Sequence, residues 1–547
     1  MTLSRSAHVD TFCRDHLPAA EQLPDFVGLT ELGYPERLNC AVELLDAVVR
    51  RFGADRPCLL SPDAPAWSYG QLQRTVNQLA RVLVEDLGVR TGNRVLLRSP
   101  NNPWLVACWL AVLKAGAVAV PTMPLLRAGE LATIAEIARV DLALCDHRFL
   151  DDLRAARIAQ LPIVACGGPD PDDLTARAAA KPATFQAADT AADDVALLAF
   201  TSGTTGRPKA TMHFHRDLLA IADTFAAQLV RPSPEDVFTG SPPLAFTFGL
   251  GGLVVFPLRF GARTLLVERA TPDQLAELIQ AHRVTVCFTA PTAYRAMLTA
   301  GKAAQLRSLR RAVSAGEHLP AATWHAFHQA TGVKLIDGIG STELLHIFLS
   351  AADEDIRPGA TGRVVPGYQA EIVDDAGRPV PDGTIGRLAV RGPTGCRYLG
   401  DERQAAYVQR GWNITGDTFL RDAEGYFYYQ ARSDDMIVSS GYNISGPEVE
   451  EALLAHPDVL ECGVVGVFDP DRGQLVTAFV VLATGVTGDA GEVARLQQHV
   501  KQQIAPYKYP RAIEFVTELP RTATGKLQRF VLRQRRTPAG PGAAACE

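Results

Sequence analysis

The sequence predicts an α/β protein. It has a large N-terminal domain of mixed and parallel sheets with helices and a β subdomain, then a small C-terminal α+β domain. Three observations predict this. Short apolar runs alternate with helix-period segments through the first three hundred residues, which is the pattern of βαβ units. From about residue 361 the texture changes to short strands and turns such as Asp374-Asp375-Ala376-Gly377 and Pro381-Asp382-Gly383. Near residue 434 a further unit of helices and strands begins, of an ordinary domain size. A chain of 547 residues also exceeds what one core holds.

The elements follow in order. Asn39 to Phe52 reads as a helix and Ala66-Trp67-Ser68-Tyr69 as a short strand. Val76, Leu79, Ala80, Leu83 and Leu87 keep helical spacing, and Gly88 suits the C-cap. Arg94 to Leu97 is a strand, Trp104 to Lys114 a buried helix, and Ala117 to Val120 the next strand. A helix from Glu130 to Arg139 precedes the strand Leu142-Ala143-Leu144. Residues 168–194 form an Ala/Asp/Pro-rich connector. Val195 to Phe200 is a buried strand, and Leu218 to Leu229 has helical spacing.

Thr271-Pro272 caps a helix whose apolar face is Leu275, Leu278 and Ile279. Val284 to Phe288 and Arg311 to Ser314 are strands around a helix from Ala290 to Leu298. In the last unit, Ser445-Gly446-Pro447-Glu448 opens a helix as a capping box. Val459 to Phe468, Leu475 to Leu482 and Ala512 to Val516 are strands, and Val493, Leu496, Val500 and Ile504 mark a helix. The expected domains are 1–433 and 434–536, with a disordered tail at 537–547.

Composition excludes several classes. Net charge is −6, which offers nothing for nucleic acid or an anionic membrane. The most apolar stretches, Trp104 to Val120 and Leu244 to Leu258, are too short and interrupted to span a bilayer. Ten scattered cysteines without metal-ligand spacing read as reduced thiols. With no apolar segment at its N-terminus, the chain is expected to be cytoplasmic. Monomer and homodimer both stay open.

The stretch Thr201-Ser202-Gly203-Thr204-Thr205-Gly206-Arg207-Pro208-Lys209 carries the first chemistry. Glycines let backbone N–H groups turn toward an anion, and hydroxyls and Lys209 add donors and charge. This reads as a phosphate cradle set between a strand and a helix. It is not a Walker A loop, because Gly203 and Gly206 are three apart and Lys209 follows Pro208.

Four further segments complete a constellation. They are Ser314-Ala315-Gly316-Glu317-His318, Asp337-Gly338-Ile339-Gly340-Ser341-Thr342-Glu343, Thr415-Gly416-Asp417 with Arg432-Ser433-Asp434, and Pro520-Arg521-Thr522-Ala523-Thr524-Gly525-Lys526. Alone each is a weak signal; in this order, over more than three hundred residues, they are specific. Together they resemble the adenylate-forming superfamily of acyl-CoA synthetases, firefly luciferase and peptide-synthetase adenylation domains.

The resemblance implies a small C-terminal domain that moves. It also implies a two-step reaction: a carboxylate and ATP give an acyl-adenylate and pyrophosphate, then a thiol takes the acyl group. On this reading Thr201 to Lys209 hold the β- and γ-phosphates. Glu343 holds Mg²⁺, and Thr342 bonds the α-phosphate. Gly316, Glu317, His318, Asp337, Gly338 and Ile339 border adenine. Asp417, with Arg432 beside it, accepts the ribose hydroxyls. Lys526 meets charge building at the α-phosphate. Asp434 matches the family's hinge, and rotation about it exchanges Lys526 for the loop Ser439-Ser440-Gly441-Tyr442, which lines a pantetheine tunnel. Arg529, Arg533, Arg535 and Arg536 read as a solvated charged helix, with contact to coenzyme A phosphates as the alternative. The chain departs from the family pattern at Ile339, often aromatic, and at Ala431, often glycine.

Two stretches resemble the aryl-CoA ligases of the benzoate type: Gly338 to Phe348, and Leu244-Ala245-Phe246-Thr247-Phe248-Gly249. The segment His8-Val9-Asp10-Thr11-Phe12 with Leu17-Pro18 looks closest to 2-aminobenzoate-CoA ligases. By motif position the aryl pocket involves Thr247, Phe248, Gly340, His346 and Ile347. His213 and His215 either border the acid or pack the core. The expected function is an ATP-, Mg²⁺- and coenzyme A-dependent ligase of 2-aminobenzoate or benzoate. An enzyme loading a carrier-protein thiol is the alternative. A non-catalytic nucleotide sensor fits poorly with Glu343, Asp417 and Lys526 together.

Overall fold

The computed structural model describes residues 3–201, 208–432, 435–439, 442–469, 472–504, 506–521 and 527–535. Two sheets form the heart of the large domain. One runs Ile163–Cys166, Leu142–Asp146, Arg94–Arg98, Val118–Thr122, Val195–Thr201, Lys209–Phe214. Its neighbours are parallel except the last pair. The other has nine strands, with Pro57–Ser61, Arg263–Leu265, Val237–Gly240, Val286–Thr289, Arg311–Ala315 and Leu335–Gly340 parallel in that spatial order. Strands such as Val118–Thr122 are buried throughout, which is why they read as unbroken apolar runs.

Local sequence explains the helices between them. The Asn102 side chain accepts the Leu105 N–H and Pro103 takes the first turn, starting the buried helix Pro103–Lys114. Ser68 and Gln71 form a reciprocal capping box, so Tyr69 begins a helix rather than ending a strand. Thr271 and Gln274 do the same for Pro272–Ala281.

One expectation is corrected. The phosphate-loop segment is not followed by a helix. Lys209–Phe214 is a strand, antiparallel to Val195–Thr201, with Thr201 opposite Lys209. The helix His215–Ile221 starts only afterwards, where the Asp217 carboxylate accepts the Phe214 N–H. The stretch was hard to read because Thr211 and His213 are polar yet fully buried.

The β subdomain is an antiparallel sheet of Gln369–Val373, Gly386–Arg391, Val408–Gln409, Trp412–Arg421 and Phe427–Arg432. The small domain has its own sheet of Ile437–Ser439, Tyr442–Ile444, Val459–Asp469, Gly473–Leu482 and Ala512–Phe515. Helices Gly446–Leu454 and Ala490–Gln503 share its core through Val449, Leu453, Leu496 and Val500. Among the described residues no helix is long and apolar enough to cross a membrane. The described cysteines are all buried and free of disulfides.

Candidate active site

The proposed site gathers where parallel strands end, as ligand sites in such sheets do. Arg311–Ala315 and Leu335–Gly340 are neighbours, with Ala315 level with Gly338. Gly316 turns away at φ 91°, a conformation that favours glycine. A Cβ at Gly338 would stand 2.8 Å from the Ile347 side chain, so glycine there lets the two pack closely. His318 stacks on Tyr429 of the β subdomain, with ring centroids 5.8 Å apart. Asp337 has a buried Oδ1 without a partner, and burial pushes its carboxyl well above the usual range.

Three side chains meet at the predicted phosphate end. The Lys209 ammonium donates to the Tyr398 hydroxyl at 2.7 Å, and that hydroxyl donates to Glu343 Oε1 at 2.5 Å. Lys209 and Glu343 themselves stand 3.8 Å apart. Lys209 also lies over the Tyr398 and Tyr407 rings, at 4.4 and 5.8 Å. Tyr407 contacts the Ser341 hydroxyl at 3.3 Å, and Ser341 accepts the Leu344 N–H. A buried carboxylate among hydroxyls is a donor set that fits a hard divalent cation.

The turn after Glu343 divides polar from apolar chemistry. Leu345 has φ 71°, a strained value for leucine that costs about 1 kcal/mol. It separates Glu343, beside Lys209, from His346, which enters a ring of phenylalanines. His346 lies 4.6 Å from Phe256, 5.4 Å from Phe225, 5.7 Å from Phe248 and 6.3 Å from Phe288, centroid to centroid. A Cβ on Gly251 would stand 2.3 Å from the imidazole, so glycine there makes room for it. Burial drives the His346 pKa down to about 3, and the Phe248 backbone is the polar group that faces its ring. At neutral pH it is therefore uncharged. Thr247 is buried at the start of Thr247–Leu250, and Phe248 is half-buried. Gly340 abuts the His346 carbonyl, and Ile347 packs beneath Gly338.

Asp417 lies opposite Arg432 in paired strands, so the sheet brings those positions together. His213 and His215 are fully buried, with pKa values lowered by burial to about 4 and about 3. His213 sits 4.0 Å from Asp217, and His215 Nδ1 meets the Cys40 N–H. These contacts are core contacts. Asp217 in turn pairs with the fully buried Arg397 at 2.6 Å. Breaking such a pair costs about 3–5 kcal/mol, because a lone buried charge remains.

The two domains touch beside the segment expected to border adenine. Arg521 reaches Glu317 at 3.2 Å and Glu461 at 3.0 Å, and Arg295 reaches Glu461 at 3.2 Å. Arg521 pairs with Leu527 as an antiparallel bridge. Ser202, Gly203, Thr204, Thr205, Gly206, Asp434, Gly441 and Lys526 lie outside the described residues, as does the tail. Arg529 and Arg533 are not simply solvated: Arg529 forks onto Glu450 and Arg533 pairs with Asp435. Acids on neighbouring segments explain the difference. Sequence reasoning missed Tyr398, Tyr407 and Arg521. The first two carry no charge to mark them, and Arg521 stood in view only as part of the Lys526 motif.

Comparison with known proteins agrees with this arrangement. Residues 45–398 match the family model of AMP-binding enzymes, and residues 448–526 match the AMP-binding enzyme C-terminal domain. A benzoate–CoA ligase of Thauera aromatica is 37% identical, over 91% of this chain and 96% of its own length. The structure is similar to that of the anthranilate CoA ligase AuaEII in complex with anthranoyl-AMP, with a TM-score of 0.86, 36% identity, and coverage of 92% of this chain and 98% of that one. A benzoate CoA ligase from Burkholderia xenovorans LB400 gives a TM-score of 0.84 at 33% identity, over 91% of this chain and 100% of its own. This chain belongs to the family of AMP-binding, adenylate-forming enzymes, in its aryl-CoA ligase branch.

Proposed function

We propose that the enzyme activates 2-aminobenzoate or benzoate with ATP and passes the aryl group to coenzyme A, releasing AMP and pyrophosphate. The observation that carries the aryl reading is the phenylalanine-lined niche holding an uncharged His346, three residues from Glu343. A flat apolar slot with few polar groups suits a planar ring. An imidazole met only by the Phe248 backbone keeps a nitrogen for the substrate and favours an acid with a hydrogen-bonding ring substituent, since an unmet buried polar group costs about 1–3 kcal/mol. This supports 2-aminobenzoate ahead of benzoate.

The residue roles follow from charge. Attack of a carboxylate on ATP brings two anions together. Thr201 to Lys209 hold the pyrophosphate end, and Thr342 bonds the α-phosphate. Glu343 holds Mg²⁺, which supplies neutralising charge when bound. Gly316 to His318 and Asp337 to Ile339 border adenine, and Asp417 with Arg432 holds the ribose. Lys526 serves the adenylation step from the small domain. Rotation at Asp434, between domains 1–433 and 434–536, then withdraws it and brings Gly441 and its loop to the pantetheine path.

Incubation with ATP, Mg²⁺ and a panel of acids, with and without coenzyme A, tests the reading. The panel holds benzoate, 2-aminobenzoate, hydroxybenzoates and fatty acids. AMP and thioester are expected with the aromatic acids, most with 2-aminobenzoate. A preference for fatty acids would refute the aryl assignment, and AMP without thioester would favour a carrier-protein acceptor.

A further inference from the structure

We propose that Tyr398 is a positioning residue for the phosphate and cation machinery, its hydroxyl holding Lys209 and Glu343 apart so that each stays available to MgATP. The inference rests on the ATP-dependent reading above and assigns to that site a residue outside the motifs quoted for it.

The phenol is 1% exposed, and its hydroxyl bonds two charged groups at once. It accepts from Lys209 at 2.7 Å and donates to Glu343 Oε1 at 2.5 Å. The direct Lys209–Glu343 separation of 3.8 Å is too long for a hydrogen bond. Without the hydroxyl between them, ammonium and carboxylate in so dry a setting attract strongly and close on each other. Each would then be spent on the other. With it, Lys209 is poised for phosphate oxygens, while Glu343 keeps a carboxylate oriented for a divalent cation.

The backbone makes the position rigid. Tyr398 forms a bridge with Thr211, two residues along the Lys209–Phe214 strand. Met212 N–H donates to the Arg397 carbonyl at 2.7 Å, and Leu399 N–H to the Ala210 carbonyl at 2.9 Å. The Gln404 side chain accepts the Tyr398 N–H at 2.9 Å, and Arg397 is anchored on Asp217. A phenylalanine would keep the ring contact with Tyr407, at 5.7 Å, and lose only the oxygen. Packing alone therefore does not account for a hydroxyl here. A group that orients a cation's carboxylate typically changes cation affinity about 10- to 100-fold when removed.

The test uses the full-length protein and Tyr398→Phe. ATP affinity is measured by calorimetry with and without Mg²⁺, and the ratio of the two is the readout. Tyr398→Phe is expected to lower that ratio about tenfold and to raise the Mg²⁺ concentration needed for half-maximal AMP formation. In a Glu343→Gln background the same change should leave the ratio where Glu343→Gln alone puts it. Lys209→Met keeps the Tyr398–Glu343 bond and is expected to weaken ATP equally with and without Mg²⁺. That second variant keeps the proposal open to refutation if Tyr398→Phe does not fold. An unchanged ratio in Tyr398→Phe, whatever its rate or thermal stability, overturns the proposal, as does a Lys209→Met ratio that collapses. Wild-type protein that binds no ATP would instead overturn the functional reading on which it rests.

Discussion

The Arg521 guanidinium of the small domain stands 3.2 Å from the Glu317 carboxylate of the large domain, beside the segment expected to border adenine. Its other arm meets Glu461, which also pairs with Arg295, so four alternating charges cross the domain boundary. Arg521 lies five residues before Lys526 in the chain. Both Arg521 and Glu317 remain partly exposed, so the pair alone contributes up to about 1 kcal/mol.

Arg521→Ala is therefore expected to slow aryl-adenylate formation by up to about fivefold, a loss of up to about 1 kcal/mol. Thioester formation from supplied aryl-adenylate should change less. Added salt should narrow the gap between wild type and variant, because it screens the pair in the former only. Rapid-quench assays of the two half-reactions at low and high salt check this.

His346→Leu should separate the substrates. The Phe248 backbone alone meets the imidazole, so its loss costs benzoate little and removes any bond to a ring amine. A drop of roughly tenfold or more in kcat/KM for 2-aminobenzoate, against a few-fold for benzoate, is expected. Equal losses for both acids would assign the histidine to packing.

Acid should destabilise the fold through its buried histidines. His213, His215 and His346 titrate near 4, 3 and 3 when folded, below the 6.5 of a free imidazole. Their folded pKa values are depressed, so the unfolded chain binds more protons and stability falls as pH drops below 6.5. Each contributes up to about 1.4 kcal/mol per pH unit between the two values. Asp337, raised by burial, works in the opposite direction. Those four groups together give a slope of up to roughly 3 kcal/mol per unit between pH 6 and 5. Denaturant titrations at those pH values measure it, and a flat profile would contradict the assignment of neutral buried imidazoles.

Relief of backbone strain gives a further check. Leu345→Gly removes the left-handed penalty at φ 71°, but it also removes a buried side chain worth about 2 kcal/mol or more. The packing loss outweighs the strain, so the variant should be less stable by about 1–3 kcal/mol. Unfolding midpoints measure the difference.

Much of the fold was legible because local and tertiary preferences agree. Thr271-Pro272, Asn102-Pro103 and Ser445 stand at helix starts, and strands such as Val118–Thr122 are apolar because both faces are covered. The strand Lys209–Phe214 was missed because its buried positions hold Thr211 and His213, which break the apolar pattern. The site motifs could be read because glycines and charges mark them. Tyr398 could not, since an aromatic residue in a β segment reads as core until its hydroxyl is seen between Lys209 and Glu343. Arg529 looked solvated because its partner Glu450 is far away in sequence.

In the proposed mechanism one site runs two chemistries, with Lys526 serving only the first. The most direct measurement compares Lys526→Ala with wild type in each half-reaction, using ATP and the aryl acid for one and supplied aryl-adenylate and coenzyme A for the other. A loss of at least about a hundredfold in adenylation is expected, the scale of a removed transition-state donor, with thioester formation within a few-fold of wild type. Equal losses in both half-reactions would contradict it.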